Sequence, residues 1–83
     1  MDLVALTETI IKKLVTDPDS VSVKEFETEE ENTIQIEVLI SADDMGRVIG
    51  KGGKTINSIR TIVAAASSLT EENKRVRINI DSY

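Results

Sequence analysis

From residue 33 to 40 the chain alternates, with Ile34, Ile36, Val38 and Ile40 set against Gln35 and Glu37. Successive strand residues point to opposite faces, so this stretch makes a strand with one greasy wall and one wet one. A second run does the same over residues 74–81, where Val76, Ile78 and Ile80 alternate with Arg75, Arg77 and Asn79. Two one-faced strands cannot sit in an all-helical bundle. They call for a sheet whose apolar side is covered and whose polar side faces water.

The cover is legible as helices. Leu3, Leu6, Ile10 and Leu14 recur at helical spacing, and Thr16-Asp17-Pro18 ends that run because proline disfavours helix at the residue before it. The spacing predicts an amphipathic helix of about three turns, with Thr7, Lys12 and Lys13 on its solvent side or on a dimer surface. Residues 20–27, with Val21, Val23 and Phe26, predict a less regular strand. It pairs with 33–40 as a hairpin whose loop is the acidic run Glu29-Glu30-Glu31-Asn32.

Ser41-Ala42-Asp43-Asp44 has the form of a capping box. It predicts a short helix bearing Met45, Val48 and Ile49 and stopping at Gly50, where positive φ suits glycine. A longer helix follows, with Ile56, Ile59, Val63 and Ala66 on one stripe and Ala64 to Ala66 allowing close packing. After the link 70–73 comes the last strand, reached by a helical crossover and therefore parallel to 33–40. The expected fold is α+β in the order α-β-β-α-α-β, a three-stranded mixed sheet with three helices on one face. With 83 residues there is room for one core, and residues 1–83 read as a single domain.

Composition narrows the function. With 40% apolar and 30% charged residues the chain should fold. There is no cysteine and no histidine, which removes disulfides, thiolate metal sites and the commonest general base. No catalytic residue and no cofactor is expected. Asp43-Asp44 and Glu29-Glu30-Glu31 read as a helix start and a solvated loop, so no metal site is expected either. No apolar run approaches the length of a membrane span, and Asp2 stands where a signal peptide would be positive. The expectation is a cytoplasmic protein that makes no membrane contact and takes no small-molecule substrate.

The net charge of −5 argues at first against a nucleic-acid partner. Its distribution argues otherwise. Residues 1–40 carry three lysines against ten acids, whereas residues 41–83 carry seven basic residues against five acids. Between Arg47 and Arg60 stand Lys51 and Lys54 and no acid at all, so a local anion site can exist on an acidic chain.

The glycines of that stretch have several readings. A P-loop would need glycine at position 48, which is valine, and a dinucleotide fingerprint would need a third glycine at 55, which is threonine. The plain alternative is a tight turn between two helices that binds nothing. However, Val48-Ile49-Gly50-Lys51-Gly52-Gly53-Lys54-Thr55-Ile56-Asn57-Ser58-Ile59-Arg60 resembles the signature of the KH family, whose G-x-x-G loop joins two helices and clamps nucleotide backbone. The element order is similar to the type II, bacterial-type KH fold, and the likeness spans essentially the whole chain.

The resemblance implies binding of single-stranded RNA, about four nucleotides per domain. Gly50, Lys51, Gly52, Gly53 and Lys54 would hold phosphate at the start of the following helix. Ile49 and Ile56 would floor a groove for bases, and Arg47, Asn57, Arg60 and Arg77 would lie within reach of the strand. For Arg75 and Arg77, an ordinary polar sheet face remains the other reading. The resemblance further implies a homodimer, or a heterodimer with a KhpB/Jag-type RNA-binding protein, and RNA-chaperone work in post-transcriptional regulation and cell-envelope or division control. Only Phe26 and Tyr83 are aromatic, so stacking of several bases is not expected. A lone domain should bind weakly without a partner's avidity. The competing reading is a dimerisation module with little RNA affinity of its own.

Overall fold

The computed structural model describes residues 2–83. Helix α1 (Leu3–Leu14), strands β1 (Ser22–Glu27) and β2 (Thr33–Ile40), helices α2 (Met45–Ile49) and α3 (Lys54–Ser68) and strand β3 (Arg75–Ser82) follow in the predicted order. One-turn 3-10 segments stand at Pro18–Ser20, Ala42–Asp44 and Lys51–Gly53. The sheet runs β1-β2-β3, so β2 is central. β1 lies antiparallel to it, with Val23 opposite Val38, and β3 lies parallel, with Ile36 opposite Ile78. This is an α+β fold of the KH type, with three helices and a three-stranded mixed sheet.

The alternation predicted for β2 is its burial pattern. Ile36, Val38 and Ile40 have no exposed surface and Ile34 is buried beside them. Each such side chain contributes roughly 1.5–3 kcal/mol relative to an exposed one, so β2 is the centre of the core. Ile11 of α1, Val48 of α2, Ile56, Ile59 and Val63 of α3 and Ile78 of β3 close over it as one cluster.

The structure corrects four details. Thr7 does not face water: it is fully buried and its hydroxyl donates to the Leu3 carbonyl at 2.8 Å. The inward stripe of α1 is Leu3, Thr7 and Ile11, one turn apart, with Leu6, Ile10 and Leu14 packed at its margins. Lys12 and Lys13 are exposed as expected. Phe26 lies on the open face of the sheet, half exposed, because it pairs with Gln35 and stands an odd number of residues from the inward-facing Val23. Ala64 and Ala65 are exposed, and only Ala66 of the three alanines is buried.

The fourth correction concerns Asp44. Ser41 makes no side-chain cap, and Asp44 does not reach back to it. The carboxylate is buried and accepts instead from the Thr16 N–H at 2.9 Å, the Thr16 hydroxyl at 2.9 Å and the Asp17 N–H at 3.2 Å. A capping box is a local device, and here a partner from the link after α1 took the acceptor.

The Thr16 N–H is the main reason that Asp44 stays ionised below the usual carboxylate range. The Thr16 hydroxyl, the Asp17 N–H and Arg47 act in the same direction, against the opposing pull of burial. A carboxyl with a lowered folded value stabilises the fold above its unfolded value, and that stability is lost as pH falls through the folded value. Asp44→Asn should therefore destabilise by a constant amount between about pH 5 and 8, with the difference from wild type shrinking below about pH 4. Urea melts followed by circular dichroism across pH measure this.

Candidate nucleic-acid interface

The loop 50–53 owes its shape to a close approach. Gly50 has φ 76° and ψ 171°, and a Cβ there would stand 2.3 Å from Thr55 Oγ1 and 2.9 Å from the Thr55 nitrogen. No side chain fits. The Gly50 N–H closes α2 on the Gly46 carbonyl at 2.9 Å, and the Gly53 N–H returns to the Gly50 carbonyl at 3.1 Å. Gly52 also has positive φ, 64°, but a Cβ there would meet nothing. The chain thus reverses between α2 and α3 in a single 3-10 turn, and Lys51 and Gly52 are left exposed at its tip.

α3 starts at Lys54 without a side-chain cap and without an acid in its first turn. The first-turn amides of a helix have no partner inside it, and the helix dipole adds positive potential there. Lys51 and Lys54 stand exposed on either side of that start. Ile49 is half-buried next to the loop and Ile56 is buried one turn into α3.

From the loop a chain of polar contacts leads to the free edge of the sheet. A Cβ on Gly53 would lie 3.7 Å from Asn57 Nδ2. Asn57 Oδ1 accepts from Arg60 Nη1 at 3.1 Å, while Arg60 Nε and Nη2 donate to the Ile78 carbonyl at 3.3 and 3.0 Å. Ile78 belongs to the edge strand β3, so Arg60 is braced across the groove between α3 and that strand. Arg47 stands on α2 with its Nε 3.7 Å from Asp44 Oδ1.

The structure gathers Arg47, Ile49, Gly50, Lys51, Gly52, Gly53, Lys54, Ile56, Asn57 and Arg60 around the α2–α3 turn. Arg77 is placed elsewhere. It projects from the open face of the sheet, where its Nη2 holds both carboxylate oxygens of Glu30 at 2.6 and 2.8 Å. Two participants had no sequence signal of their own: Thr55, on which the Gly50 backbone packs, and the Ile78 carbonyl that orients Arg60. Two concavities of the surface, one around Leu3, Glu25, Ile34 and Lys74 and one around Asn32, Ala64 and Val76, include no loop residue.

Five of the acids lie at the far end. Asn32 Nδ2 donates to the Asn73 carbonyl at 3.1 Å, which joins the 28–32 loop to the 69–74 link. Glu29, Glu30, Glu31, Glu71 and Glu72 thus gather beyond the C-terminus of α3. The 15 residues of α3 separate them from the glycine loop, a distance of about 22 Å at 1.5 Å per residue. That exceeds the screening length of about 8 Å in physiological salt. Nearer the loop stand the exposed Asp43 and the buried Asp44, the latter 3.7 Å from Arg47.

An α-β-β-α-α-β chain with a G-x-x-G turn between two helices beside a free sheet edge defines a KH domain. Comparison with known proteins gives the particular group: the family described as KhpA/KhpB, KH domain, matches residues 4–80, and this chain belongs to it. It is similar to the RNA-binding protein KhpA of Clostridium acetobutylicum, with 45% identity over 90% of this chain and 95% of that protein. KhpA of Streptococcus pneumoniae serotype 4 is 42% identical over 87% of this chain and 85% of its own length. KhpA of Chlamydia trachomatis is 38% identical over 86% of each. No solved structure matches significantly.

The glycine geometry predicts a graded series. Gly50→Ala should cost roughly 2–4 kcal/mol through strain and the clash with Thr55. Gly52→Ala should cost about 1–2 kcal/mol through φ alone, and Gly46→Ala, inside α2 with open space around it, should stabilise by about 0.5–1 kcal/mol. Urea unfolding midpoints of the three variants rank them.

Proposed function

We propose that this chain is a non-catalytic protein that binds single-stranded RNA, holding backbone phosphate at the Gly50–Gly53 loop. The carrying observation is the uncapped start of α3 behind that glycine turn, flanked by Lys51 and Lys54 with no acid between Arg47 and Arg60. Phosphate oxygens match free amides and lysine ammonium groups. Bases then fall toward Ile49, Ile56 and the Arg60-braced edge of β3. Arg77, paired with Glu30 on the other face, would join only if RNA wrapped around the sheet edge.

The relatives named above are called RNA-binding proteins, which supports the reading, and family membership supports a binding role without catalysis. No helix among the described residues is long and apolar enough to cross a membrane. We place the protein in the cytoplasm, acting as an RNA-binding or RNA-chaperone module in post-transcriptional regulation, with cell-envelope or division control downstream. A homodimer, or a pairing with a KhpB/Jag-type partner, would supply the avidity that one small domain lacks.

Self-association as the main role is the second reading. It is favoured by the C-terminal half of α3 and its cap residue Leu69, where residues 61–69 carry no charge and leave Ile62 and Leu69 at 50% and 81% exposure. Sedimentation equilibrium at micromolar concentration should show a dimer, and a monomer there removes this reading.

The RNA reading is tested by Lys51→Asp combined with Gly52→Asp. Both positions are exposed, so circular dichroism should be unchanged and stability should fall by only about 1–2 kcal/mol. Retention of RNA in gel-shift and crosslinking should fall at least about tenfold. Undiminished binding by the folded variant refutes the proposal.

A further inference from the structure

The glycine loop is carried by α2, a helix of five residues. Isolated helices shorter than about 12 residues are marginal in water, so the position of α2 is set by what ties it to the body. Val48 is one tie, fully buried in the core with Met45 and Ile49 packed beside it. Asp44 is the other. Its carboxylate takes three donors from Thr16 and Asp17, on the link that leaves α1, and so joins segments 28 and 27 residues apart.

That carboxylate has one further neighbour. Arg47 Nε stands 3.7 Å from Asp44 Oδ1, with the arginine side chain 61% exposed. Among the described residues no hydrogen bond engages the two terminal nitrogens of Arg47. A guanidinium steadied at Nε with its terminal fork free is suited to a phosphate. Binding sites tolerate displacements of only about 0.5 Å, and a five-residue helix depends on its apolar packing and on this carboxylate to meet that limit.

We infer that Asp44 is a positioning residue of the RNA site: it holds α2 and its loop in place and steadies Arg47 toward the bound strand. The inference rests on the RNA-binding reading above. It also carries a sign that distinguishes it from simple electrostatics. Removing a negative charge beside an RNA site strengthens binding if only net charge matters, whereas loss of a positioning residue weakens it.

The test uses a fluorescein-labelled single-stranded RNA of about ten nucleotides, which exceeds the about four that one domain covers. Anisotropy titrations are made at low temperature, where every variant is folded by circular dichroism. Asp44→Asn should weaken binding on the order of tenfold. The slope of log affinity against log salt should become shallower by about 0.7, the value of one phosphate contact on a single strand. Thr16→Val, which removes one of the three donors and leaves the carboxylate, should fold even if Asp44→Asn does not, and should show a smaller loss in the same direction.

Val38→Ala in β2 serves as the stability control, destabilised but remote from the loop, and it should bind as wild type with an unchanged salt slope. Tighter or unchanged binding by Asp44→Asn or Thr16→Val, while the Lys51→Asp, Gly52→Asp variant has lost RNA, overturns the positioning role. An equal loss in Val38→Ala overturns it as well, by attributing the effect to global stability. If the loop variant binds like wild type, the RNA-site reading fails and this inference falls with it.

Discussion

Four side chains of one strand, Ile34, Ile36, Val38 and Ile40, have to leave water together, and the rest of the molecule is arranged to let them. β2 can do so only with a strand on each side and helices above. β1 supplies little beyond Val23, while β3 adds Ile78 and a parallel ladder that requires α3 to carry the chain back to its starting end. The glycine turn is a consequence of that geometry. α2 and α3 must both reach the apolar face, through Val48 and through Ile56, Ile59 and Val63, and a glycine at position 50, where a Cβ would clash with Thr55, lets the two helices meet so abruptly. Packing thereby sets the uncapped first turn of α3 beside Lys51 and Lys54.

Electrostatics then divides the molecule. The antiparallel relation of α3 to β3 puts the glycine loop at one end of α3 and the acidic loops at the other. An RNA strand meets repulsion over most of the surface and attraction at one turn. An acidic chain of this kind gains little from non-specific attraction to a polyanion. The Glu30–Arg77 pair works in the same sense, since it neutralises a cation on the open face that would otherwise draw a polyanion there.

Much of this was legible in the residue pattern because the signals were local and periodic. Alternation at 33–40 and 74–81, the apolar stripe on α3 and the glycines at 50–53 each depend on neighbours in sequence. The misread positions depended on distant ones. Thr7 resembles a surface residue until helix α1 is rotated against the sheet, where its hydroxyl can satisfy the Leu3 carbonyl and be buried without loss. Asp44 fitted a capping box by spacing, yet its donors came from Thr16 and Asp17. The bracing of Arg60 depends on a backbone carbonyl, which no side-chain pattern reveals.

The sequence by itself determined the element order, the side of each strand that is buried and the position of the glycine turn with its basic neighbours, because periodicity, glycine conformational freedom and charge act over a few residues. Only the tertiary structure decided how α1 is rotated, that Asp44 binds the link after α1, that Arg77 faces away from the loop and that the acidic loops lie a helix length from the glycines. Those outcomes are set by which surfaces meet when β2 is covered, and chain separation hides such meetings from any local reading.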